Sequence, residues 1–205
     1  MPPATLYKYR SLGNWQFVID ILLNERVYAA PFPMLNDPME GRLIYFQDDI
    51  AAHYRRATRR TKNTLRICSL SATKLNTLLW SYYAEGHAGV AFGLRVRPGQ
   101  RGVVAGPTLV RYDSRIVISK ESARTLKPQE LARLILEQKQ EAWQHEQEHR
   151  VFSTSAFVEV EIRELVLGCN VSEQDELILR KLVSKLRPRA RVLRLSRGDL
   201  DGGRA

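Results

Sequence analysis

Cysteine is scarce. The 205 residues contain only Cys68 and Cys169, far apart and in apolar surroundings, which excludes a disulfide-stapled fold and predicts two buried thiols in a reducing cytoplasm. No run approaches the roughly 18 consecutive apolar residues of a bilayer span, so no membrane segment is expected. The opening Met1-Pro2-Pro3-Ala4-Thr5 lacks the basic head and apolar run of a secretory leader, which fits a cytoplasmic protein. Glycine patterns for phosphate loops or dinucleotide folds are missing, and so is the G-x-S-x-G elbow of serine hydrolases. No repeat, low-complexity linker or composition break divides the chain. One domain over residues 1–205 is expected, with the basic tail from 197 to 205 disordered.

Basic residues are plentiful. Thirty-two Lys+Arg against 22 Asp+Glu give a net charge of +10, enough to bind polyanions with strong salt dependence. The charge gathers at Arg55, Arg56, Arg59, Arg60 and Lys62, and again from Lys181 to Arg197. A nucleic-acid surface or a merely solvated face both account for it.

Periodicity places the elements. Leu6–Arg10 alternates as a strand, with Tyr7 and Tyr9 on one face and Lys8 and Arg10 on the other. A helix is expected after Gly13-Asn14, a short strand over 26–30, turns through Asn36-Asp37-Pro38-Met39-Glu40-Gly41, and a polar helix over 46–62. Strand 64–70 leads to helix 74–86 with an apolar stripe of Leu75, Leu78, Leu79, Tyr82 and Tyr83. Strands follow at 89–94 and 103–112, a helix at 128–143, strands at 148–155 and 157–167, a helix at 173–186 and a strand at 191–195. Strands outnumber helices and seldom alternate with them, which predicts a compact α+β domain with mixed or antiparallel sheets flanked by helices.

His145-Glu146-Gln147-Glu148-His149 matches H-E-x-x-H, which on a helix would aim two imidazoles at one Zn²⁺. Charged Glu148 between the histidines and the strand-like residues after Arg150 argue against a zinc hydrolase, and no metal is expected. As a strand, the segment puts Glu146, Glu148 and Arg150 on one face. Such paired carboxylates suit the stabilisation of an oxocarbenium-like centre and the handling of a nucleophile; a salt-bridged strand end is the alternative. Ser69 and Ser71 likewise share a face. Trp80, Tyr82, Tyr83 and His87 gather beside Gly86 and Gly89, either to stack a planar ring or as core.

The order of these pieces resembles one family. Leu-Tyr-Lys-Tyr-Arg-Ser at 6–11, Asn-Asp-Pro-Met-Glu at 36–40, Cys-Ser-Leu-Ser at 68–71, Trp-Ser-Tyr-Tyr-Ala-Glu-Gly-His-Ala-Gly at 80–89 and Trp-Gln-His-Glu-Gln-Glu-His-Arg at 143–150 together resemble the bacterial domain of unknown function 2971. The likeness runs nearly the whole chain and implies no settled activity. More distantly, Arg10, Ser69-Leu70-Ser71 and Glu146-Gln147-Glu148 resemble the ordered motifs of arginine–serine–glutamate ADP-ribosyltransferases, although Leu70 stands where threonine is usual.

That second resemblance implies an ADP-ribosyltransferase-like fold and NAD as substrate. It makes Arg10 the dinucleotide ligand, with Lys8 as a competitor, and gives Ser69 and Ser71 the pocket wall. Glu148 becomes catalytic and Glu146 positions a protein or nucleic-acid acceptor. Tyr83 or Tyr82 stacks the ring, with Trp80 and His87 nearby. Such enzymes often act as toxins or in phage defence, a setting that leaves an inhibitor partner open. The alternatives are a non-enzymatic nucleic-acid-binding domain and the zinc hydrolase.

Overall fold

The computed structural model describes residues 4–37, 40–41, 52–113, 121 and 125–200. Pro38 and Met39 of the turn motif, residues 46–51 of the expected polar helix and the tail residues 201–205 lie outside them. The strands are β1 (Leu6–Arg10), β2 (Arg26–Tyr28), β3 (Ala30–Pro31), β4 (Arg66–Ser71), β5 (Val90–Val96), β6 (Val103–Leu109), β7 (Arg111–Asp113), β8 (Gln138–Gln140), β9 (Glu148–Ser153), β10 (Phe157–Leu167) and β11 (Arg191–Arg194). The helices are α1 (Trp15–Asn24), α2 (Ala52–Thr64), α3 (Thr77–Tyr83), α4 (Pro128–Leu136), α5 (Glu173–Leu186) and α6 (Arg197–Leu200).

Among the described residues, nine strands form one sheet in the order β11-β10-β5-β1-β4-β9-β6, with β2 added to β10 and β3 to β4. Every pairing in it is antiparallel except β10 with β11. The chain is therefore α+β with a mostly antiparallel sheet. Alternation along the strands sorts the core. Leu6, Cys68, Leu70, Phe92, Leu94, Leu165 and Leu167 meet Val18, Ile21 and Leu22 of α1 and Leu179 and Val183 of α5 on one face. The other face is covered in two halves. Leu79 and Trp80 of α3 pack on Tyr9, Ala91 and Val166, while Ala132 and Leu136 of α4 pack on Ile67 and Phe152.

Helix starts follow local chemistry. Asn76 accepts the Leu79 amide at 3.0 Å to cap α3, and Ser172 accepts the Asp175 amide at 3.0 Å to cap α5, whose first turn is acidic.

Several expectations change. The helix expected over 128–143 stops at Leu136, because the buried Arg150 Nη1 donates to the Leu136 carbonyl at 2.5 Å and Gln138–Gln140 pairs in parallel with β7 instead. The helix expected over 74–86 spans only Thr77–Tyr83, and its stripe rotates: Leu79 and Trp80 are buried while Leu78 and Tyr82, and Leu75 before the helix, are exposed. Cys68 is buried, but Cys169 is only partly so; both are free. Residues 197–200 of the tail form α6. No helix of the described residues is long and apolar enough to cross a membrane.

Candidate functional site

Strands β1 and β4 meet at one residue pair, Tyr7 opposite Ser71. Beyond it they part, and a cavity of about 290 Å³ opens between them. That is the small end of the roughly 300–1,000 Å³ typical of small-molecule sites. Lys8 and Arg10 alternate with Tyr7 and Tyr9 along β1, and all four residues contribute to the lining. Lys8 and Arg10 are therefore both residues of the cleft.

The cationic wall is formed by Lys8 and Arg10. Lys8 Nζ donates to the Ser69 carbonyl at 2.8 Å, across the gap where a backbone ladder bond would otherwise lie. Burial, with Arg10 alongside, lowers its ammonium to about 8. Arg10 Nη1 donates to the Tyr9 carbonyl at 3.2 Å, its Nε has no partner, and no carboxylate pairs with it among the described residues. Burial lowers its pKa as well, without removing its charge.

The carboxylates come from the start of β9. In the β4–β9 register Glu148 stands opposite Ser71, and Arg150 opposite Ser69. The Glu148 carboxylate takes two bonds from Arg150, Nε to Oε1 and Nη2 to Oε2, each 2.8 Å. Lys139 Nζ reaches Glu146 at 2.5 Å and Glu148 at 3.3 Å. Burial alone would raise the Glu148 pKa; Arg150, then Lys139 and the Ser69 hydroxyl, more than reverse this and hold it at about 2. Glu146 is reached by the Tyr83 hydroxyl, which donates at 2.9 Å. Glu40 also pairs with Arg150, and burial raises its pKa despite that partner.

Glu146 arrives by a route other than the expected strand. It ends a 3₁₀ helix spanning Glu141–Glu146, and Gln147 turns the chain in the left-handed region at φ 46° before β9 begins. The H-E-x-x-H residues therefore share no helical face. His145 Nδ1 lies 3.0 Å from the Ala142 carbonyl and His149 is a buried strand residue alternating with Glu148. Among the described residues no group of three or more His, Cys, Asp or Glu is arranged to hold a metal ion.

Of the residues singled out, Lys8, Arg10, Ser69, Ser71, Tyr83, Glu146 and Glu148 line this one cleft. Ser71 does so as a brace: its Oγ donates to the Glu146 carbonyl at 2.7 Å. Three others lie elsewhere. Trp80 is fully buried, edge-on to Tyr9 at 5.1 Å between centroids, with its indole N–H donating to the Lys74 carbonyl. His87 stacks on the other side of Trp80 at 6.3 Å, and Tyr82 is 62% exposed.

Of the two glycines in that segment Gly89 serves packing, while Gly86 has open space around it. A Cβ at Gly89 would stand 2.3 Å from the Arg10 carbonyl, and Glu85 accepts from Ser11 Oγ at 2.5 Å and the Gly13 amide at 2.9 Å. The whole 80–89 segment braces the end of β1 that carries Arg10. Arg55, Arg56, Arg59, Arg60 and Lys62 lie on α2, outside the cleft lining.

Sequence reasoning missed Lys139 as the cation between the carboxylates; nothing in Gln138-Lys139-Gln140 marks it. It also gave no role to Asn36 and Glu40, which line the cleft, although their motif was part of the family resemblance. Tyr112, whose hydroxyl accepts the Glu148 amide at 2.7 Å, carried no signal either. Comparison with protein-family models, with curated proteins and with solved structures finds no match to this chain.

Proposed function

We propose that the protein is an NAD-consuming ADP-ribosyltransferase-like enzyme whose site is the cleft between β1 and β4, and that it belongs with the domain of unknown function 2971 and shares the ADP-ribosyltransferase-like fold. One observation carries the reading. Arg10, the Ser69/Ser71 pair and the Glu146/Glu148 pair, grouped by the resemblance in motif order, stand on or beside three strands that are neighbours in the sheet, and all five line one cleft.

The division of charge suits the substrate. NAD has a pyrophosphate, which Arg10 and Lys8 would bind; guanidinium geometry matches phosphate oxygens and Arg10 has no acid to satisfy among the described residues. Its nicotinamide ribose becomes cationic as the glycosidic bond breaks, and a carboxylate held ionised in a low-dielectric cleft stabilises that charge. Glu148, at a pKa of about 2, is ionised throughout the physiological range and acts electrostatically rather than as a proton donor. The C1′–N bond breaks with its electron pair leaving on nicotinamide. A nucleophile on the acceptor then bonds to C1′ and releases its proton, with Glu146 placing the acceptor. The cavity holds the nicotinamide riboside end, and the adenosine end extends toward its mouth.

Titration of the purified protein with NAD, followed by nicotinamide release, tests this. Saturable binding is expected, with release reduced at least about a hundredfold in Glu148→Gln, the loss typical when one transition-state charge contact is removed. Because Glu148 also supports Arg150, the variant's melting curve is recorded alongside, and Arg10→Ala serves as a second variant expected to weaken NAD binding. No binding and no release by the folded wild type across millimolar NAD would overturn the reading.

A further inference from the structure

The two basic segments of the sequence differ in their surroundings. Between residues 180 and 194 four of the five arginines face internal acids: Arg180 and Arg194 pair with Glu176, Arg187 with Glu25, and Arg191 with Glu164, leaving Arg189 exposed. On α2 the situation is reversed. Arg56, Arg59 and Arg60 are exposed, no acid pairs with any of them among the described residues, and Ala52–Thr64 contains neither Asp nor Glu.

The helical period gathers this charge into a ridge. At 3.6 residues per turn, positions 55, 56, 59 and 60 fall on one side of α2, while Tyr54, Thr58 and Thr61 fall on the other. Thr58 is buried there, and Tyr54 packs against Leu131 and Ile135 of α4. Arg56 and Arg60 are one turn apart, about 6 Å along the axis, so both can engage neighbouring phosphates of one strand. Between positions 55 and 63 the ridge carries arginine and Asn63 and no large apolar residue, so it lacks the anchor of a helix that lies in a membrane interface.

One end of α2 is linked to the cleft wall through Phe32. Lys62, in the last turn of α2, donates from Nζ to the Gly41 carbonyl at 2.5 Å and stands 4.4 Å from the centroid of the Phe32 ring. Phe32 opens a 3₁₀ turn whose Met34, followed by Leu35 and Asn36, lines the cleft wall.

We propose that α2 is the docking ridge for a nucleic-acid strand, and that this strand is the acceptor delivered to the cleft. The second half rests on the NAD-consuming reading. In the transfer, the C1′ bond to nicotinamide nitrogen breaks with its electron pair leaving on nicotinamide, a nitrogen or oxygen nucleophile of the strand bonds to C1′, and the nucleophile's proton passes to solvent.

The test compares Arg56→Ala/Arg59→Ala/Arg60→Ala with Lys181→Ala/Lys185→Ala/Arg189→Ala, which removes the same charge from exposed positions of the other basic segment. Fluorescence anisotropy with labelled single-stranded RNA and DNA oligonucleotides is followed against salt, and both triple variants are checked by thermal melting. The ridge variant should lower the slope of log affinity against log salt by about 2, since each phosphate contact on a single strand contributes about 0.7. The control should keep the wild-type slope. Equal losses in both variants, or no oligonucleotide binding by the wild type at low salt, would overturn the proposal. So would ridge-dependent binding to phosphatidylserine vesicles without oligonucleotide binding, which would make the ridge a membrane-surface contact.

Transfer of labelled ADP-ribose to the oligonucleotide is measured in parallel. The ridge variant should lose transfer while still releasing nicotinamide. Oligonucleotide binding without any nicotinamide release removes the NAD reading and the acceptor role but leaves the ridge standing. Nicotinamide release with modification of protein alone removes the acceptor role and leaves the NAD reading standing.

Discussion

Lys8 Nζ donates to the carbonyl of Ser69 at 2.8 Å, bridging the two strands where their ladder has come apart. A parted pair of central strands would leave buried carbonyls without donors, and each such group costs about 1–3 kcal/mol. The lysine satisfies one of them and at the same time puts a cation on the wall of the cleft. Structure and electrostatics of the opening thus share a residue.

Anion binding should depend on pH through this lysine. With its pKa lowered to about 8, chiefly by burial and then by Arg10, Lys8 loses its charge as pH rises through about 8. The groups that face it are Arg10, Cys68, Glu146 and Glu148. Affinity for ADP-ribose, measured by calorimetry, should therefore fall between pH 7 and 9, by about tenfold for one charge-assisted contact. Lys8→Met should bind weakly throughout and lose the inflection. In the stability of the unliganded protein the sign is opposite. The folded pKa lies below the unfolded value, so the wild type gains stability relative to Lys8→Met as pH rises from about 8 to 10.5.

Gly89→Ala should damage the site from outside it. The added Cβ would meet the Arg10 carbonyl at 2.3 Å and the Ala84 backbone at 2.9 Å, and neither can yield as a flexible side chain would. A loss of about 1–3 kcal/mol in chemical denaturation is expected for such overpacking. NAD binding should weaken as well, since the displaced strand carries Arg10. By contrast Gly86→Ala meets no atom within 4 Å and carries only the strain of its φ of 59°, about 1 kcal/mol for a left-handed residue.

Tyr82 and Tyr83 are adjacent, and only one of them lines the cleft. Tyr83→Phe removes a hydroxyl that donates to Glu146 at 2.9 Å, which should cost about 1.5–3 kcal/mol as a bond to a charged acceptor. Tyr82→Ala, at an exposed position, should stay within about 0.5 kcal/mol of wild type. Paired denaturation curves check both. Equal effects would mean that the Glu146 hydroxyl contact contributes nothing.

The sequence was most legible where strand periodicity and motif spacing coincide. Alternation placed Leu6–Arg10 and the shared face of Ser69 and Ser71, and the strand expected over 64–70 forms at Arg66–Ser71. It also grouped Glu146 with Glu148, though through a left-handed Gln147 that no period-two pattern encodes. Less legible was anything decided by long-range contact. Arg150 ends α4 by taking the Leu136 carbonyl, and the next three residues become a strand that carries Lys139 between the carboxylates. Local propensity favours continuing that helix, and tertiary pairing overrides it. The aromatic segment 80–89 misled for a similar reason. Aromatics and glycines serve close packing as readily as ring stacking, and here Trp80 and Gly89 hold the backbone of Tyr9 and Arg10 in place.

Glu148 should be a determinant of acid stability as well as of chemistry. It shares Arg150 with Glu40, and the guanidinium is almost wholly buried. Removing one partner of a buried pair typically costs about 3–5 kcal/mol, because the other charge stays behind uncompensated. Glu148→Ala should approach that loss at pH 7; Glu148→Gln, which can still accept one bond from Arg150, should lose less. The pH dependence follows from the folded pKa of about 2 against an ordinary 4.5. A carboxylate whose pKa is depressed by folding stabilises the fold fully above the unfolded value, and that contribution disappears as pH falls from about 4.5 to 2. Denaturation midpoints of the wild type should therefore decline over that window, and those of Glu148→Gln should decline less. Parallel curves for the two proteins would show that Glu148 is not held ionised by Arg150 and Lys139, and the electrostatic role assigned to it in the cleft would fall with that result.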